Sequence, residues 1–402
     1  KVFFSLQKYC SIIRFKKKMV NSTSTICEQL FCDSVIDNDE QEFVEKTITM
    51  NFDNKQQEQQ QQESDNDNVY RRQIVWRNVI AMTILHLMAI YSYIYFGLDR
   101  RITWYVLFWP DILARISALG VLAGSHRLWS HRSYRARLPL RIFLMILQTM
   151  ALQNDIYDWC RDHRLHHKHS DTNADPYNAR RGFFFSHMGW LMVRKHPDVI
   201  RKGKTIDLTD VWADPVVRFQ RRFYIPLVLL IWGILPTYFC HYATGYTMVD
   251  CFLGAVIVRY VLSLHYAWLV NSAAHLYGYK MYDQSMEPRE NRMVVYASMG
   301  EGYHNYHHTF PWDYSASEHG WSECFNITTA FIDLCVWLGL AYGRKKANEK
   351  IIQKRIERTG NRDYYRKYYD PGTLADYSLG ILSSYGFLFI TWTLRYLING
   401  QL

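Results

Sequence analysis

Nine histidines in four short segments carry the chemistry this chain could perform. Of its 16 His, His126 and His131 frame HRLWSH, His163, His166 and His167 form HRLHH, and His304, His307 and His308 form HNYHH. His275 closes the segment NSAAH at the end of a long apolar run. Positions i, i+3 and i+4 are neighbours on a helix, so HRLHH and HNYHH each turn three imidazoles to one face. Neutral imidazole is a good ligand for iron, zinc and copper. A single zinc usually takes four ligands, so two metals use this many histidines more naturally than one. A carboxylate-bridged di-iron bundle would need Glu-x-x-His pairs, and none of the boxes is built that way. The pattern reads as a histidine-rich di-iron centre with positions open for oxygen. His86, His241, His265 and His319 stand alone and read as ordinary surface or core residues. His169, His187 and His196 lie near the second box and read as structural.

The elements that must hold these ligands are apolar and long. Asn78 to Leu98 is 21 residues without a charge, enough at about 1.5 Å per residue to cross a hydrocarbon core of about 30 Å. Trp104 to Gly124 is a second candidate span, interrupted by Asp111 and Arg115. Phe223 to Val249 carries no Lys, Arg, Asp or Glu, and Cys251 to Ala274 is broken only by Arg259. Basic residues flank these spans unevenly. Arg71, Arg72 and Arg77 precede the first, the 125–222 segment is rich in Lys, Arg and His, and 240–249 has no Lys or Arg. Two apolar hairpins with both termini and the large loop in the cytosol satisfy the positive-inside bias. The expected fold is an all-α integral membrane protein, with four transmembrane helices and a cytosolic helical cap holding the di-iron site. Tyr377 to Leu394 is a fifth apolar run whose role the pattern leaves open.

The rest of the 402-residue chain narrows the function. Its net charge of +10 could suggest nucleic acid, but the basic residues fall in loops between apolar runs rather than along one stripe, which suits a membrane surface. The eight Cys show no CxxC and no regular spacing, which argues against a disulfide scaffold or a cysteine zinc site. Residues 1–18 are basic, with Lys8 and Arg14 interrupting any apolar core of a signal peptide. The expectation is that 1–18 are not native sequence and that Met19 is the start. Residues 1–70 as a whole read as a disordered tail, acidic and Gln-rich from Asn38 to Asn68. Residues 71–360 form the membrane domain, and 361–402 an extension of unknown role. Asn21-Ser-Thr23 and Asn326-Ile-Thr328 fit the N-glycosylation pattern but are expected to stay unmodified on the cytosolic side.

HRLWSH, HRLHH and HNYHH resemble the three histidine boxes of the membrane fatty acyl-CoA desaturases. GSHRLWSHRSYRARLPLR, WLVNSAAHLYG and GEGYHNYHHTFPWDYS are similar to the stearoyl-CoA (Δ9) branch, and the likeness runs from about Val75 to about Gly360. The resemblance implies that His126, His131, His163, His166, His167, His275, His304, His307 and His308 bind two Fe(2+) ions. It also implies that Asn271 holds a water on one of them. Arg77, Asn78, Asn154, Trp159, Arg161, Asp162, Arg194 and Lys195 match positions that contact substrate. Two departures stand out: Ala267, where vertebrate relatives have Thr near the bend of the substrate tunnel, and the charges Asp111 and Arg115 in the second span.

The activity so implied is insertion of a cis double bond at Δ9 of a saturated long-chain acyl-CoA in the endoplasmic reticulum membrane. Breaking unactivated C–H bonds is beyond any side chain, so the metals must do it with O2. Asp162, Asp171, Asp175 and Glu301 are candidates to orient imidazole N–H groups, and Trp159, Trp190 and Trp268 to wall the acyl tunnel. The chain has no Rossmann fingerprint and no fused haem segment, so the resemblance implies electrons from cytochrome b5 and its NADH-dependent reductase. A lipid hydroxylase with the same metals, or a non-catalytic metal-binding membrane protein, are the competing readings.

Overall fold

The apolar runs become helices whose outer faces cannot rest in water. The computed structural model describes residues 72–98, 105–363 and 374–382, all within the unit Arg72–Leu402. The expected tail 1–70, the start at Met19 and Asn21 lie outside the described residues. Helix α1 spans Trp76–Leu98 and presents Ile80, Ile84, Leu87, Tyr91 and Ile94 outward. A second long helix, Tyr224–Thr244, exposes Ile225, Leu229, Phe239 and Tyr242 in the same way. Continuous apolar bands of this length are what a bilayer covers.

Among the described residues three helices are long and apolar enough to cross a membrane: Trp76–Phe96, Tyr224–Thr244 and Met248–Leu276. The expected second span is helical over the 15 residues Tyr105–Leu119 and is not one of them; its two charges are paired inside the protein. Asp111 pairs with Arg115 at 2.8 Å and is fully buried. Its other oxygen accepts the Tyr266 hydroxyl at 2.5 Å, and the Arg115 guanidinium lies over the Tyr266 ring. The charges are turned inward against the Met248–Leu276 helix rather than toward lipid. Arg259, the charge in that helix, is also buried and donates to the carbonyls of Ala255, Met150 and Trp232.

The metal-bearing segments pack between and beyond these helices. The Tyr105–Leu119 helix runs on as π-helical turns over Gly120–Ser130, all buried, which deliver the first histidine box. They lie against α2, Leu138–Ala151, so closely that a Cβ on Gly120 would stand 2.1 Å from the Gln148 amide nitrogen. Helix α3, Ile156–Lys168, is capped by Asp155, whose side chain accepts the Asp158 N–H, and carries the second box in its last two turns. The short helix α4, His304–Thr309, is the third box. A two-residue antiparallel pairing, Arg135–Ala136 with Ala341–Tyr342, ties the segment after the first box to the chain beyond helix Ile327–Trp337.

Candidate metal centre

The three boxes and His275 converge, and they divide their histidines in a way the spacing does not announce. His126, His131, His163, His167 and His307 form one group, and His166, His275, His304 and His308 a second, with ligand atoms in each group within 4.8 Å of one another. The i, i+4 pairs stay together, His163 with His167 and His304 with His308, while His166 and His307 cross to the opposite group. In the first group Nε2 atoms meet at 2.8 Å (His126 to His307 and His131 to His163) and 3.0 Å (His167 to His307). In the second, His304 Nε2 stands 3.0 Å from His275 Nε2 and 3.2 Å from His308 Nε2. Such spacings suit adjacent nitrogens around one ion at about 2.1 Å.

Carboxylates fix the ring orientation from behind. Nδ1–H of His126 faces Glu301 at 3.0 Å, that of His166 faces Asp175 at 2.9 Å, and that of His275 faces Asp171 at 3.0 Å. This proton placement leaves each Nε2 lone pair for a metal. The His166 Nε2 is buried with no hydrogen-bond partner, as a waiting ligand atom should be. Three of the four acids picked from sequence therefore do back an imidazole. Asp162 does not: its oxygens take Arg161 at 2.9 Å and Lys195 at 2.5 Å, because it points away from the histidines toward the basic edge of α3.

The electrostatics match a metal-ligand set. Burial, and then the charge of neighbouring rings, drives His131, His163, His167, His304, His307 and His308 well below the usual histidine range. They are neutral donors at physiological pH. Burial pushes His166 down too, but Asp175 reverses this and leaves it raised. Burial would raise the Glu301 carboxyl, yet Arg127 and His126 bring it down to about 2. Asp171 is likewise depressed against its burial, chiefly by His275. Six neutral imidazoles, with the ionised carboxylates of Glu301 and Asp171 behind the set, fit divalent cations.

Two arginines inside the boxes hold the assembly, and neither was singled out from sequence. Arg127 is buried and donates to Glu301 at 2.7 Å, to the Tyr314 carbonyl at 2.9 Å and to Thr329 Oγ1 at 2.9 Å. Arg164 clasps Asp210 with both terminal nitrogens at 2.7 Å and donates to the carbonyls of Ser130 and Trp129. The shared His-Arg dipeptide of the first two boxes was the available signal. Gly300 precedes Glu301 at φ +114°, with no room for a Cβ against Asn326. Asn326 is itself fully buried and caps helix Ile327–Trp337, so its glycosylation pattern is inaccessible in the folded protein.

A cavity of about 190 Å³ runs past both groups, touching His126 and His163 of the first and His166 and His304 of the second. Trp159, Trp190 and Trp268 line it as expected, together with Asn154, Asn271 and Ala267. Trp159 also stacks on His163 at 4.8 Å. The other substrate candidates gather at one edge. Ile74 bridges Val193, and Arg194 N–H donates to the Gln73 carbonyl at 2.9 Å. Asn78 donates its side-chain amide to the Leu191 carbonyl at 2.7 Å. Arg77 lies exposed beside Asn78, and Lys195 reaches Arg161 through Asp162.

Three of the histidines read as structural, one of them near the second box, are joined. His86, His265 and His187 form a hydrogen-bonded row, with links of 3.2 and 2.9 Å, that ends on Ser272 at 2.9 Å. The three rings surround Trp268, so they brace the cavity wall and the turn that follows Asn271. Of the 361–402 extension, residues 361–363 and 374–382 are described, and Asp376 accepts the Tyr296 hydroxyl at 2.6 Å and the Phe325 N–H at 3.2 Å.

Fold and site together define a helical membrane protein with a double metal-binding histidine cluster beside a cavity. Residues 102–320 match the family model described as fatty acid desaturase. The chain is 55% identical over 291 residues to stearoyl-CoA desaturase 5 of Homo sapiens, covering 72% of this chain and 87% of that protein. It is 54% identical to the stearoyl-CoA desaturase of Homo sapiens, over 73% of this chain and 80% of that one. An acyl-CoA desaturase of Cyprinus carpio is 54% identical over 73% and 88%. The chain belongs to the fatty acid desaturase family.

Proposed function

We propose that the protein is an acyl-CoA desaturase that inserts a cis double bond at Δ9 of a saturated long-chain acyl-CoA. The observation that carries this reading is the cavity bordered by imidazoles of both metal-binding groups. Two Fe(2+) ions, each held by one group and with Asn271 positioning a water beside the second, would supply the redox chemistry with O2 that no side chain can. The rest is the work of this chain. Glu301, Asp171 and Asp175 keep the Nδ1 protons of their histidines in place, so Nε2 faces the metal. Trp159, Trp190 and Trp268 exclude water from the acyl chain. Arg77, Asn78, Asn154, Arg161, Asp162, Arg194 and Lys195 receive the polyanionic CoA head, where guanidinium forks suit phosphate.

In this reading residues 71–360 form the catalytic domain, with four spans, the Asp111–Arg115 helix being the second. The histidine cap, the CoA edge and both termini face the cytosol, and the membrane is the endoplasmic reticulum. Electrons arrive from cytochrome b5 and its NADH-dependent reductase, an acidic donor suiting a basic cytosolic face. Expression in a desaturase-deficient yeast, with the double bond mapped by mass spectrometry, tests the proposal. Growth rescue with a Δ9 alkene supports it. A hydroxy acid without alkene would establish a hydroxylase instead, and no product would leave a metal-binding protein without this activity.

A further inference from the structure

The turn between the third and fourth membrane helices brings two cysteines together. Helix Leu235–Thr244 ends at Gly245, which has φ 72°, and the next helix starts with Thr247 capping the Asp250 N–H. Cys240 lies one turn before this bend and Cys251 one turn after it. Both are buried and pack in one cluster with Ala255, Trp109 and Tyr246. Both line a cavity of about 10 Å³, room for roughly one water. Thr244 ties the two sides, its hydroxyl donating to the Cys240 carbonyl at 2.7 Å and lying 3.9 Å from Cys251 Sγ.

Other described cysteines are engaged differently. Cys160 Sγ donates to the Ser125 carbonyl at 3.5 Å, and Cys324 Sγ to the carbonyls of His319 and Gly320. On the orientation proposed above, those lie on the cytosolic side, where thiols stay reduced. The 240–251 turn instead faces the lumen, where thiols are oxidised.

We propose that Cys240 and Cys251, reduced in this structure, are joined in the membrane-inserted protein as a disulfide that staples the hairpin of the third and fourth spans. The bond forms by exchange with a disulfide-bearing oxidant of the lumen. Two S–H bonds are lost, one S–S bond is made, and the two protons and two electrons leave with the oxidant as its own pair of thiols. The staple would hold the lumenal end of the helix whose other end carries Asn271 and His275. It rests on the proposed orientation, so the test must separate the two.

Both cysteines fall in one tryptic fragment, Phe223–Arg259, with no Lys or Arg between them. Cells expressing the full chain are quenched in acid, and thiols are alkylated with N-ethylmaleimide under denaturing conditions. The expected fragment is lighter by two hydrogens and unalkylated, and chymotryptic cleavage after Tyr242 leaves two peptides that separate only on reduction. Cys240→Ser should leave Cys251 fully alkylated. In parallel, an Asn-Ser-Thr acceptor in a long loop inserted after Gly245 reports the side of the membrane. Alkylated thiols with a glycosylated insert overturn the disulfide and leave the orientation standing. Alkylated thiols with an unglycosylated insert overturn both.

Discussion

The two histidine groups are built from the same boxes yet are not equivalent. The first has five imidazoles, three of them only half-buried, and, among the described residues, a single backing carboxylate, Glu301. The second has four, all buried, and two backing carboxylates, Asp171 and Asp175. The first is rich in ligands and poor in orienting acids, and the second the reverse. A site with four imidazoles has more room for a non-protein ligand, and Asn271 lines the cavity that the second group shares. In the proposed reading the asymmetry gives the second group the open position and the first the more saturated one.

Removing a ligand should have the largest effect and should expose the asymmetry. His166→Ala and His307→Ala are each expected to abolish turnover while the protein stays in the membrane. Metal analysis should find a deeper deficit in His166→Ala, because its group falls to three imidazoles while the first falls to four. Equal metal content in both variants would break the comparison.

Next come the backing acids. Outer partners of metal-bound histidine typically matter by about 10- to 100-fold in metal affinity or activity. Asp175→Asn should fall in that range and act on the second group alone. Glu301→Gln should weaken the first group and also loosen the buried Arg127. Selective metal loss, followed by competition with a chelator, distinguishes them.

Acid should separate the groups more gently. An unfolded histidine takes its proton near pH 6.5 (roughly), whereas the six depressed rings do so only lower down. Between those points the unfolded chain binds more protons, so stability of the metal-free protein is complete above about pH 6.5 and declines as pH falls. His166 runs the other way: its contribution is full below about pH 6.5 and fades as pH rises through its raised folded value. A proton on His166 competes with metal, so the second group should release its ion first on acidification. Thermal melting of metal-free protein and metal retention across a pH series check both points.

The smallest effect on the metals should come from Asp162→Asn. Asp162 holds Arg161 and Lys195 rather than a histidine, so metal content should not change while KM for acyl-CoA does. A fall in metal content would return Asp162 to the ligand assembly.

Much of this was legible because ligand chemistry and membrane crossing both impose local patterns. Histidines at i, i+3 and i+4 announce a shared face, and an uncharged run of 21 residues announces a span. The division of the histidines was not legible, since whether His166 joins His163 or His304 depends on where α3 meets α4. The same limit explains Asp162. It sits one residue before His163, while Asp175 and Asp171 reach back to His166 and His275 through a loop whose path no spacing shows. Tyr105–Leu119 was harder to read, because whether Asp111 and Arg115 face lipid or pair with each other beside Tyr266 depends on the Met248–Leu276 helix packed against them. The link between His86, His187 and His265 was not legible because each comes from a different segment.

The most direct test of the account is anomalous X-ray scattering at the iron edge from crystals of protein purified without oxygen. Two peaks are predicted, one among His126, His131, His163, His167 and His307 and the other among His166, His275, His304 and His308. A single peak shared by the two groups, or iron bound elsewhere, would contradict it.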